Sequence, residues 1–388
     1  MKKYLLSFAV LMAGITTLTS CDDDEEDNSL PTIDPVLVDI NRGIYVINSG
    51  NEGYQIDGSL TYINAETWAT SNKAFLAANG RSLGLTANDG VVYGSKLYVV
   101  VTQENTVEVI DNNNMKSLKQ IKTADAMGAD KGAQPRHIAA YNGKVYVTTF
   151  SGYVAEIDTA TYDVTNTFPV TNVADEVAQS YPEGITAAEG RLYVANSSYG
   201  NGICPSVAII DIASGNISVL KDDNINNPND VAIINGKLYV LDYGTYDANW
   251  NQSGAGVREI SGRNVKKVVD GTAMAFAGNK IYTINAPYTY PATTPSYYVY
   301  DITTSKTSEF ITSSGADAPY SACAIKADPV RGYVYIASYN QDPDTKYTGY
   351  GIDAYVNVYD ADGSVVKKNL TCGVCPTAIV LNNGTVWE

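Results

Sequence analysis

The sequence has a single histidine, His137, and only five cysteines among 388 residues. Zinc sites draw on several His and Cys ligands at short spacings, and no such group can be read here. The sequence also lacks a G-x-S-x-G elbow, an H-E-x-x-H pair and a phosphate-binding G-x-x-x-x-G-K loop. A general base needs a partner at a known spacing, and the sequence shows none for His137. We therefore interpret His137 as structural or pore-facing, and we expect no enzyme activity, metal or cofactor.

Basic residues are scarce as well. The chain has 26 Lys and Arg against 42 Asp and Glu, a formal net charge of −16. Nucleic-acid binding relies on clustered Lys and Arg that neutralise phosphates. The composition therefore excludes nucleic acid as the expected partner, while the acidic charge suits a soluble domain without indicating a ligand.

The apolar run near the N-terminus is too short for a stable transmembrane helix. It follows Lys2 and Lys3 and ends before Cys21, so residues 1–20 are predicted to be a secretory signal. Residues 21–36 hold Cys21, the acidic run Asp22–Asp27, which should stay solvated, and a linker with two prolines. The L-T-S-C ending resembles the lipobox of bacterial lipoproteins, which implies a lipid on Cys21 and outer-membrane anchoring. The acidic run resembles a surface-export signal of Bacteroidetes, which implies that the protein faces the cell exterior.

Four cysteines remain after Cys21. Cys372 and Cys375 have C-x-x-C spacing near the C-terminus, and an exported protein permits disulfides. A redox C-x-x-C normally opens a helix, and zinc would need two further ligands. A structural loop disulfide between Cys372 and Cys375 is the favoured interpretation, ahead of a redox or zinc site.

A repeated phrase dominates the rest of the chain. Its clearest copy runs from Asn229 to Asp242, where two apolar runs flank Asn235 and Gly236, a strong hairpin signal. The second run carries a tyrosine that returns seven times at intervals of 43 to 53 residues. These tyrosines are Tyr45, Tyr98, Tyr146, Tyr193, Tyr239, Tyr282 and Tyr335. The repeat indicates seven structural units.

Each unit continues into a third apolar run and a fourth, more polar one. Four antiparallel strands at such a period are typical of a propeller blade. Small residues such as Ala232 and Ala275 in the first runs suit strands that converge on an axis. The sequence thus predicts an all-β, seven-bladed β-propeller with four-stranded antiparallel blades over residues 37–388. The Asp residues that end the third runs, such as Asp111 and Asp158, are interpreted as turn caps.

The closing blade is predicted to combine the N-terminal strands near Tyr45 with the C-terminal strand from Pro376 to Leu381. Both Pro35–Ile40 and Pro376–Leu381 resemble an innermost strand. Which of the two fills the innermost place stays open.

Tyrosine is unusually abundant, with 30 Tyr against 6 Phe and 3 Trp. Many fall after the second strands, on the face that also carries the connections into the first strands. Aromatic rings mixed with amide and charged groups suit a large ligand with apolar and amide surface. The predicted ligand-binding residues are Asn48, Tyr54, Arg136, Tyr181, Asn196, Tyr199, Asp242, Tyr243, Tyr246, Trp250, Tyr288, Tyr290, Tyr320, Tyr339, Asn340 and Tyr347.

The opening G-I-Y-V-I-N-S-G-N-E-G at residues 43–53, with G-S-L-T-Y-I-N at residues 58–64, resembles the start of the YncE-like propeller lipoproteins of Bacteroidetes. The predicted signal, the acidic run and the repeat array also resemble those of this family, so the resemblance covers almost the whole chain. Within that group the chain most resembles the BtuG type. This resemblance implies a surface protein that captures cobalamin or another corrinoid and passes it to a TonB-dependent outer-membrane transporter. A module for glycan or protein, and a propeller lyase or lactonase, stay open as alternatives.

Overall fold

A computed structural model describes residues 37–170, 181–198 and 204–387. Its main architecture is seven four-stranded antiparallel sheets arranged as the blades of a propeller. From the axis outward, blade 1 consists of β30 (Pro376–Trp387), β1 (Leu37–Asn48), β2 (Ser59–Ile63) and β3 (Thr70–Ser71). Blade 2 consists of β4 (Ala87–Tyr93), β5 (Lys96–Val101), β6 (Thr106–Asp111) and β7 (Ser117–Lys122). Blade 3 consists of β8 (Pro135–Tyr141), β9 (Lys144–Thr149), β10 (Tyr153–Asp158) and β11 (Val164–Pro169).

The other four blades repeat this order. Blade 4 consists of β12 (Tyr181–Ala188), β13 (Arg191–Ser197), β14 (Ser206–Asp211) and β15 (Ile217–Leu220). Blade 5 consists of β16 (Pro228–Ile234), β17 (Lys237–Asp242), β20 (Gly256–Ser261) and β21 (Asn264–Val269), with a two-stranded ribbon of β18 (Thr245–Tyr246) and β19 (Gln252–Ser253). Blade 6 consists of β22 (Ala273–Ala277), β23 (Lys280–Asn285), β24 (Ser296–Asp301) and β25 (Lys306–Ile311). Blade 7 consists of β26 (Ser321–Ala327), β27 (Val334–Tyr339), β28 (Ala354–Tyr359) and β29 (Val365–Cys372). The predicted fold class is confirmed.

Turn chemistry explains why each repeat folds as a blade. Asn235 and Gly236 have φ values of 52° and 73°, the paired positive values of a type I′ hairpin turn. On the third strands, the Asp158 carboxylate accepts the Ala160 and Thr161 N–H groups. The equivalent carboxylate of Asp211 accepts the Ser214 N–H. These aspartates are turn caps, as their position at the end of the third strands indicates.

The core is divided into seven clusters, each of which lies between two successive blades. On β5, Leu97 and Val99 pack toward blade 1, whereas Tyr98 and Val100 pack toward blade 3. This two-sided burial is the reason that the second strands are apolar at successive positions. Fully burying one such side chain stabilises the fold by about 2 kcal/mol.

Ring closure depends on the two ends of the described chain. Strand β30 fills the innermost place of blade 1 and pairs antiparallel with β1, for example Tyr45 with Val380. The predicted composition of the closing blade is confirmed, and the C-terminal segment is the one that supplies the inner strand. Both strands run twelve residues, so their pairing extends from Leu37 opposite Trp387 to Asn48 opposite Pro376.

Helices are short and lie between strands. They are α1 (Ala74–Asn79), α2 (Thr123–Met127), α3 (Ala129–Gly132) and a 3-10 turn at Glu52–Tyr54. In the part of the chain that the structure describes, no helix has the length and apolar character needed to cross a membrane. Cys21 and the acidic run lie outside the described residues, and so does the predicted signal.

The predicted disulfide between Cys372 and Cys375 is wrong for this structure, because both are free thiols. Cys372 ends β29 and packs into the core between blades 7 and 1. Cys375 instead lies beside the blade 7 loop, with its Sγ 3.4 Å from the Tyr350 carbonyl oxygen. The Cys372 and Cys375 side chains therefore pack in different places, one in the core and the other against the blade 7 loop.

Candidate functional site

One face of the propeller carries the connections between second and third strands together with the connections into the inner strands. We call it the loop face, and three of its long connections are residues 243–255, 286–295 and 340–353. Among the described residues, eight aromatic side chains are exposed, and seven of them lie on this face. They are Tyr54, Trp250, Tyr288, Tyr290, Tyr320, Tyr347 and Tyr350, while the eighth, Phe276, lies on an inner strand. Clustered exposed aromatic surface of this kind marks an interaction site.

The three long connections enclose a cleft of about 720 Å³ over blades 5, 6 and 7, which we call the aromatic cleft. Its lining combines rings with hydroxyl groups and prolines. The lining residues are Tyr243, Tyr246, Gln252, Thr272, Ala286, Pro287, Tyr288, Thr289, Ala292, Thr293, Thr294, Pro295, Tyr320, Ser321, Thr348 and Tyr350. The volume lies in the range of ligand pockets, about 300 to 1,000 Å³.

Gln252 on the blade 5 ribbon holds two walls of the aromatic cleft together. Its backbone N–H donates to the Tyr288 carbonyl at 2.7 Å, and its side-chain oxygen accepts the Tyr288 N–H at 3.0 Å. Its side-chain nitrogen donates to the Tyr243 carbonyl at 2.8 Å. Asn251 adds a contact, because its side-chain oxygen accepts the Tyr290 N–H at 2.8 Å. Three hydrogen bonds therefore join the ribbon to the blade 6 loop.

Ring contacts position the aromatic surfaces further. The Tyr246 and Trp250 ring centroids are 6.3 Å apart, and those of Tyr339 and Tyr350 are 5.0 Å apart in an edge-to-face contact. Burial raises the pKa of Tyr246 and, with nearby thiols and Tyr350, that of Tyr339. These phenols are therefore neutral at physiological pH and can donate hydrogen bonds. The cleft offers stacking surface and hydrogen-bond donors rather than charge.

The predicted site residues divide into groups. Tyr243, Tyr246, Tyr288 and Tyr320 line the aromatic cleft. Trp250, Tyr290, Tyr347 and Tyr54 are exposed on the same face. Tyr339 stands behind Tyr350, and the Asn340 side chain donates to the Asp353 carbonyl. Tyr199 lies outside the described residues.

Three predicted polar contacts require correction, since Asn48, Asn196 and Asp242 are fully buried. Asn48 donates to Ser59 and Thr61 on its own blade, and Asn196 donates to the Val170 carbonyl at 3.2 Å. The Asp242 carboxylate accepts the Asn226, Asn227 and Gly244 N–H groups and lies 3.6 Å from Arg258. Each of these residues lies at or next to the end of a second strand, where its side chain holds neighbouring backbone or strand groups. None of the three side chains can reach a ligand in this structure.

Arg136 and Tyr181 lie over blades 3 and 4, away from the aromatic cleft. The Arg136 guanidinium pairs with Glu183 at 3.0 Å and lies 4.8 Å from the Phe150 ring centroid. Phe150 in turn contacts the Tyr181 ring edge-to-face at 5.2 Å. These two predicted residues thus belong to a different cluster from the tyrosines of blades 5 to 7.

That cluster lies at the starts of the inner strands, and we call it the axial cluster: Asp89, Arg136, His137, Glu183 and Asp230. His137 Nδ1 lies 3.0 Å from Asp89 and its Nε2 3.3 Å from Glu183. Burial alone would lower the pKa of His137, but the hydrogen bonds that its ring donates to both carboxylates raise it to about 10. The imidazolium is held between two carboxylates, so neither ring nitrogen is free to act as a base.

Two carboxylates of the axial cluster have opposite pKa shifts. Burial tends to raise the pKa of Glu183, but the hydrogen bond from His137 and the charge of Arg136 bring it below its usual value. Burial raises the pKa of Asp230, and the charge of His137 opposes this only in part. Within residues 37–170, 181–198 and 204–387, no group of three or more His, Cys, Asp and Glu side chains is arranged to hold a metal ion.

The sequence interpretation named Tyr288 and Tyr290 in the 286–295 connection but missed Gln252, and it missed Asp89, Glu183 and Asp230 as neighbours of His137. The position of residues 286–295 between β23 and β24 was the signal that assigned this connection to the loop face. The axial cluster offered a subtler signal. Its members occupy nearly the same place at the start of successive inner strands, where each strand also has a register shift.

Comparison with known proteins agrees with this architecture. The sequence model described as "Domain of unknown function (DUF5074)" matches residues 42–370. No curated protein matches the chain.

Solved structures share the fold at low sequence identity. A quinonprotein alcohol dehydrogenase-like protein from Bacteroides thetaiotaomicron VPI-5482 has a TM-score of 0.60 at 16% identity, with 89% of this chain and 79% of that chain covered. A candidate 6-phosphogluconolactonase from Bacteroides uniformis ATCC 8492 has a TM-score of 0.58 at 11% identity, covering 88% and 99%. Hydrazine synthase of Kuenenia stuttgartiensis has a TM-score of 0.54 at 14% identity, covering 78% and 95%. Likeness at this level shows the propeller fold alone.

Proposed function

The chain belongs to the DUF5074 family, and we propose that this member captures cobalamin or another corrinoid at the cell surface without acting on it chemically. It passes the ligand to a TonB-dependent outer-membrane transporter. The observation that carries the proposal is the aromatic cleft, in which rings from three successive blades face a common space. The resemblance to the BtuG type supplies the ligand class.

The chemistry of the cleft suits this ligand class. A corrin has broad apolar faces and a rim of amide side chains. Tyr246, Tyr288 and Tyr320 offer stacking surface for the faces. The Thr293 hydroxyl can donate a hydrogen bond to an amide of the ligand, and the Thr289 hydroxyl, which donates to the Pro291 carbonyl, can accept one. An open cleft of about 720 Å³ holds part of such a ligand and leaves the rest accessible for transfer.

A binding role without catalysis is supported by the axial cluster. Both ring nitrogens of His137 are engaged by carboxylates, so the single histidine of the chain lacks the free nitrogen that a general base needs. This argument weighs against the lyase or lactonase alternative.

Surface placement rests on the sequence. Cys21 carries the lipid in this proposal, and the acidic run behind it directs the protein to the exterior. Tyr290 and Tyr347 support a protein contact on the same face, because they are 90% and 78% exposed and line neither wall of the aromatic cleft. Aromatic residues of this kind are common anchors of protein interfaces. A glycan- or protein-binding module is the second candidate, and it would use this same exposed surface.

Alanine substitution tests the proposal, with cyanocobalamin as the probe in a calorimetric titration. Tyr246→Ala and Tyr288→Ala should each weaken binding by about 2 to 4 kcal/mol, roughly thirty- to a thousand-fold, because central aromatic anchors carry most of the binding energy. Trp250→Ala should weaken binding less, since it contacts the cleft only through Tyr246.

The matched control is Phe276→Ala, which removes an exposed ring from an inner strand outside the aromatic cleft. It should bind as the parent does, and thermal unfolding of every variant checks that the fold is intact. If the parent binds cyanocobalamin and both tyrosine variants bind it equally well, the ligand occupies another site.

A further inference from the structure

A second cavity of about 470 Å³ lies on the loop face beside blade 1, outside the aromatic cleft. It is bounded by the loops of blades 1 and 7 and by α1. Its lining residues are Gln55, Ile56, Asp57, Gly58, Ser59, Lys73, Leu76, Ser82, Gly351, Asp353, Gly373 and Val374. None of them lines the aromatic cleft.

The two cavities share one wall, formed by the blade 7 loop. Thr348 and Tyr350 face the aromatic cleft, whereas Gly351 and Asp353 face the second cavity. The wall is held from blade 1, because the Asn51 side chain donates to the Tyr350 carbonyl at 3.0 Å. Tyr54 packs closely on Gly351, where an added Cβ would lie 2.7 Å from the ring. The second cavity therefore has a defined boundary.

Hydrogen-bonding groups of the lining are partly fixed and partly free. The Ser59 hydroxyl accepts from Asn48 at 3.3 Å, which leaves its own proton available to a ligand. The Ser82 hydroxyl donates to Asp57 at 2.6 Å, which leaves its lone pairs available. Such arrangements present both donors and acceptors to the cavity.

The two remaining charged groups of the lining have opposite signs. Within the described part of the chain, the Lys73 ammonium and the Asp353 carboxylate have no side-chain hydrogen bond or ion pair that the structure records. The Lys73 ammonium only donates hydrogen bonds, and the Asp353 carboxylate only accepts them. A neutral ligand with hydroxyl groups can accept a hydrogen bond from Lys73 and donate one to Asp353.

The apolar part of the lining is small, and one of its three residues, Leu76, is exposed. It consists of Ile56, Leu76 and Val374. Leu76 lies on α1 and is 39% exposed, although the adjacent residue Phe75 is buried. An exposed leucine at the edge of a polar cavity offers a patch for the C–H face of a ligand.

We propose that this cavity is a second binding site, which takes a neutral, hydroxyl-rich ligand such as a sugar ring. Hydroxyl groups donate and accept equally, as the paired serines and the Lys73 and Asp353 side chains require. The apolar patch then covers the C–H face of the ring. Asp57 and Asp353 disfavour a phosphate, and the polar majority of the lining disfavours a purely apolar ligand.

Saturation-transfer NMR on the full chain tests the site. The probes are methyl glycosides of glucose, galactose, mannose and N-acetylglucosamine, together with glucose 6-phosphate and free alanine. At least one neutral glycoside should bind the parent, and a titration of that glycoside compares the variants. Asp353→Ala should weaken binding about tenfold through the lost hydrogen bond to a charged group, and Leu76→Arg should abolish it by filling the cavity.

Two variants serve as controls. Asp163→Ala removes an exposed acid from a turn on the opposite face, and Tyr288→Ala alters the aromatic cleft; both should bind the glycoside as the parent does, and thermal unfolding checks their folding. The proposal is overturned if no neutral glycoside binds, if only alanine or glucose 6-phosphate binds, or if binding survives Leu76→Arg. Loss of binding in Tyr288→Ala overturns it as well, because the sugar then occupies the aromatic cleft. No corrinoid is used, so the result is independent of the proposed function.

Discussion

At the scale of single residues, the pairing of His137 with Asp89 and Glu183 links stability to pH. The folded-state pKa of His137 is raised to about 10 from a usual 6.5. Its stabilising contribution is therefore fully present below the usual value and is lost as pH rises through about 10. Glu183 behaves in the opposite sense, since its lowered pKa gives stability that is lost as pH falls.

Replacing His137 with Gln tests this linkage. The variant should be less stable than the parent by about 3 kcal/mol near pH 6, because two carboxylates lose a cationic partner. The difference should shrink as pH approaches about 10.5, where most of the parent histidine is also neutral. Urea unfolding of both proteins across this pH range measures it, and a difference that stays constant with pH would mean that His137 is not a charged partner in the fold.

Residue roles were predictable where sequence position determines geometry. The repeated tyrosines occupy the same place in every blade, and aspartates lie at or next to the end of the third strand in five of the seven blades. The partners of His137 were not predictable, because Asp89 and Glu183 lie 48 and 46 positions away in sequence and meet it only where the inner strands converge on the axis. Asn48, Asn196 and Asp242 were misassigned for a related reason: polar residues at strand ends brace loops as readily as they bind ligands.

At the scale of elements, Gln252 joins the blade 5 ribbon to the blade 6 loop, which form two walls of the aromatic cleft. Replacing Gln252 with Ala removes both of its side-chain hydrogen bonds and leaves the Tyr288 N–H without its acceptor. Hydrogen exchange should become faster in residues 243–253 and 286–290, while the blades keep their protection. Mass spectrometry of exchanged peptides measures this directly.

Thr245→Val is the matched control, since it removes only a 3.3 Å contact with Ser253 inside the same ribbon. Its exchange in residues 286–290 should equal that of the parent. If Gln252→Ala leaves the blade 6 loop as protected as before, the two elements are not coupled through this side chain. The existence of the ribbon was beyond sequence prediction, because its strands are two residues long and carry no alternating pattern.

At the scale of the whole molecule, closure through β30 makes the ring one cooperative unit. Deleting residues 376–387 would remove the inner strand of blade 1 and expose edges of β1 and its neighbours. We expect loss of cooperative thermal unfolding rather than a small drop in melting temperature. Circular dichroism during heating checks this, and a sharp transition close to that of the parent would show that closure does not depend on β30.

The sevenfold architecture was predictable because seven copies of one phrase leave little freedom for another fold. The choice of inner strand in blade 1 was not, since Pro35–Ile40 and Pro376–Leu381 carry similar patterns and only pairing in space distinguishes them. The sequence predicted which face of the propeller carries the cleft, but not where on that face the cleft lies. Its position over blades 5 to 7 depends on how three long connections fold against one another.

The central claim is that the aromatic cleft captures a corrinoid, and the most direct measurement is a calorimetric titration of the purified protein with cyanocobalamin, paired with the same titration of Tyr288→Ala. The account predicts saturable binding to the parent at one site per chain and binding weakened at least about thirtyfold in the variant. Absence of measurable heat and of any change in the cobalamin spectrum with a folded parent would contradict the account.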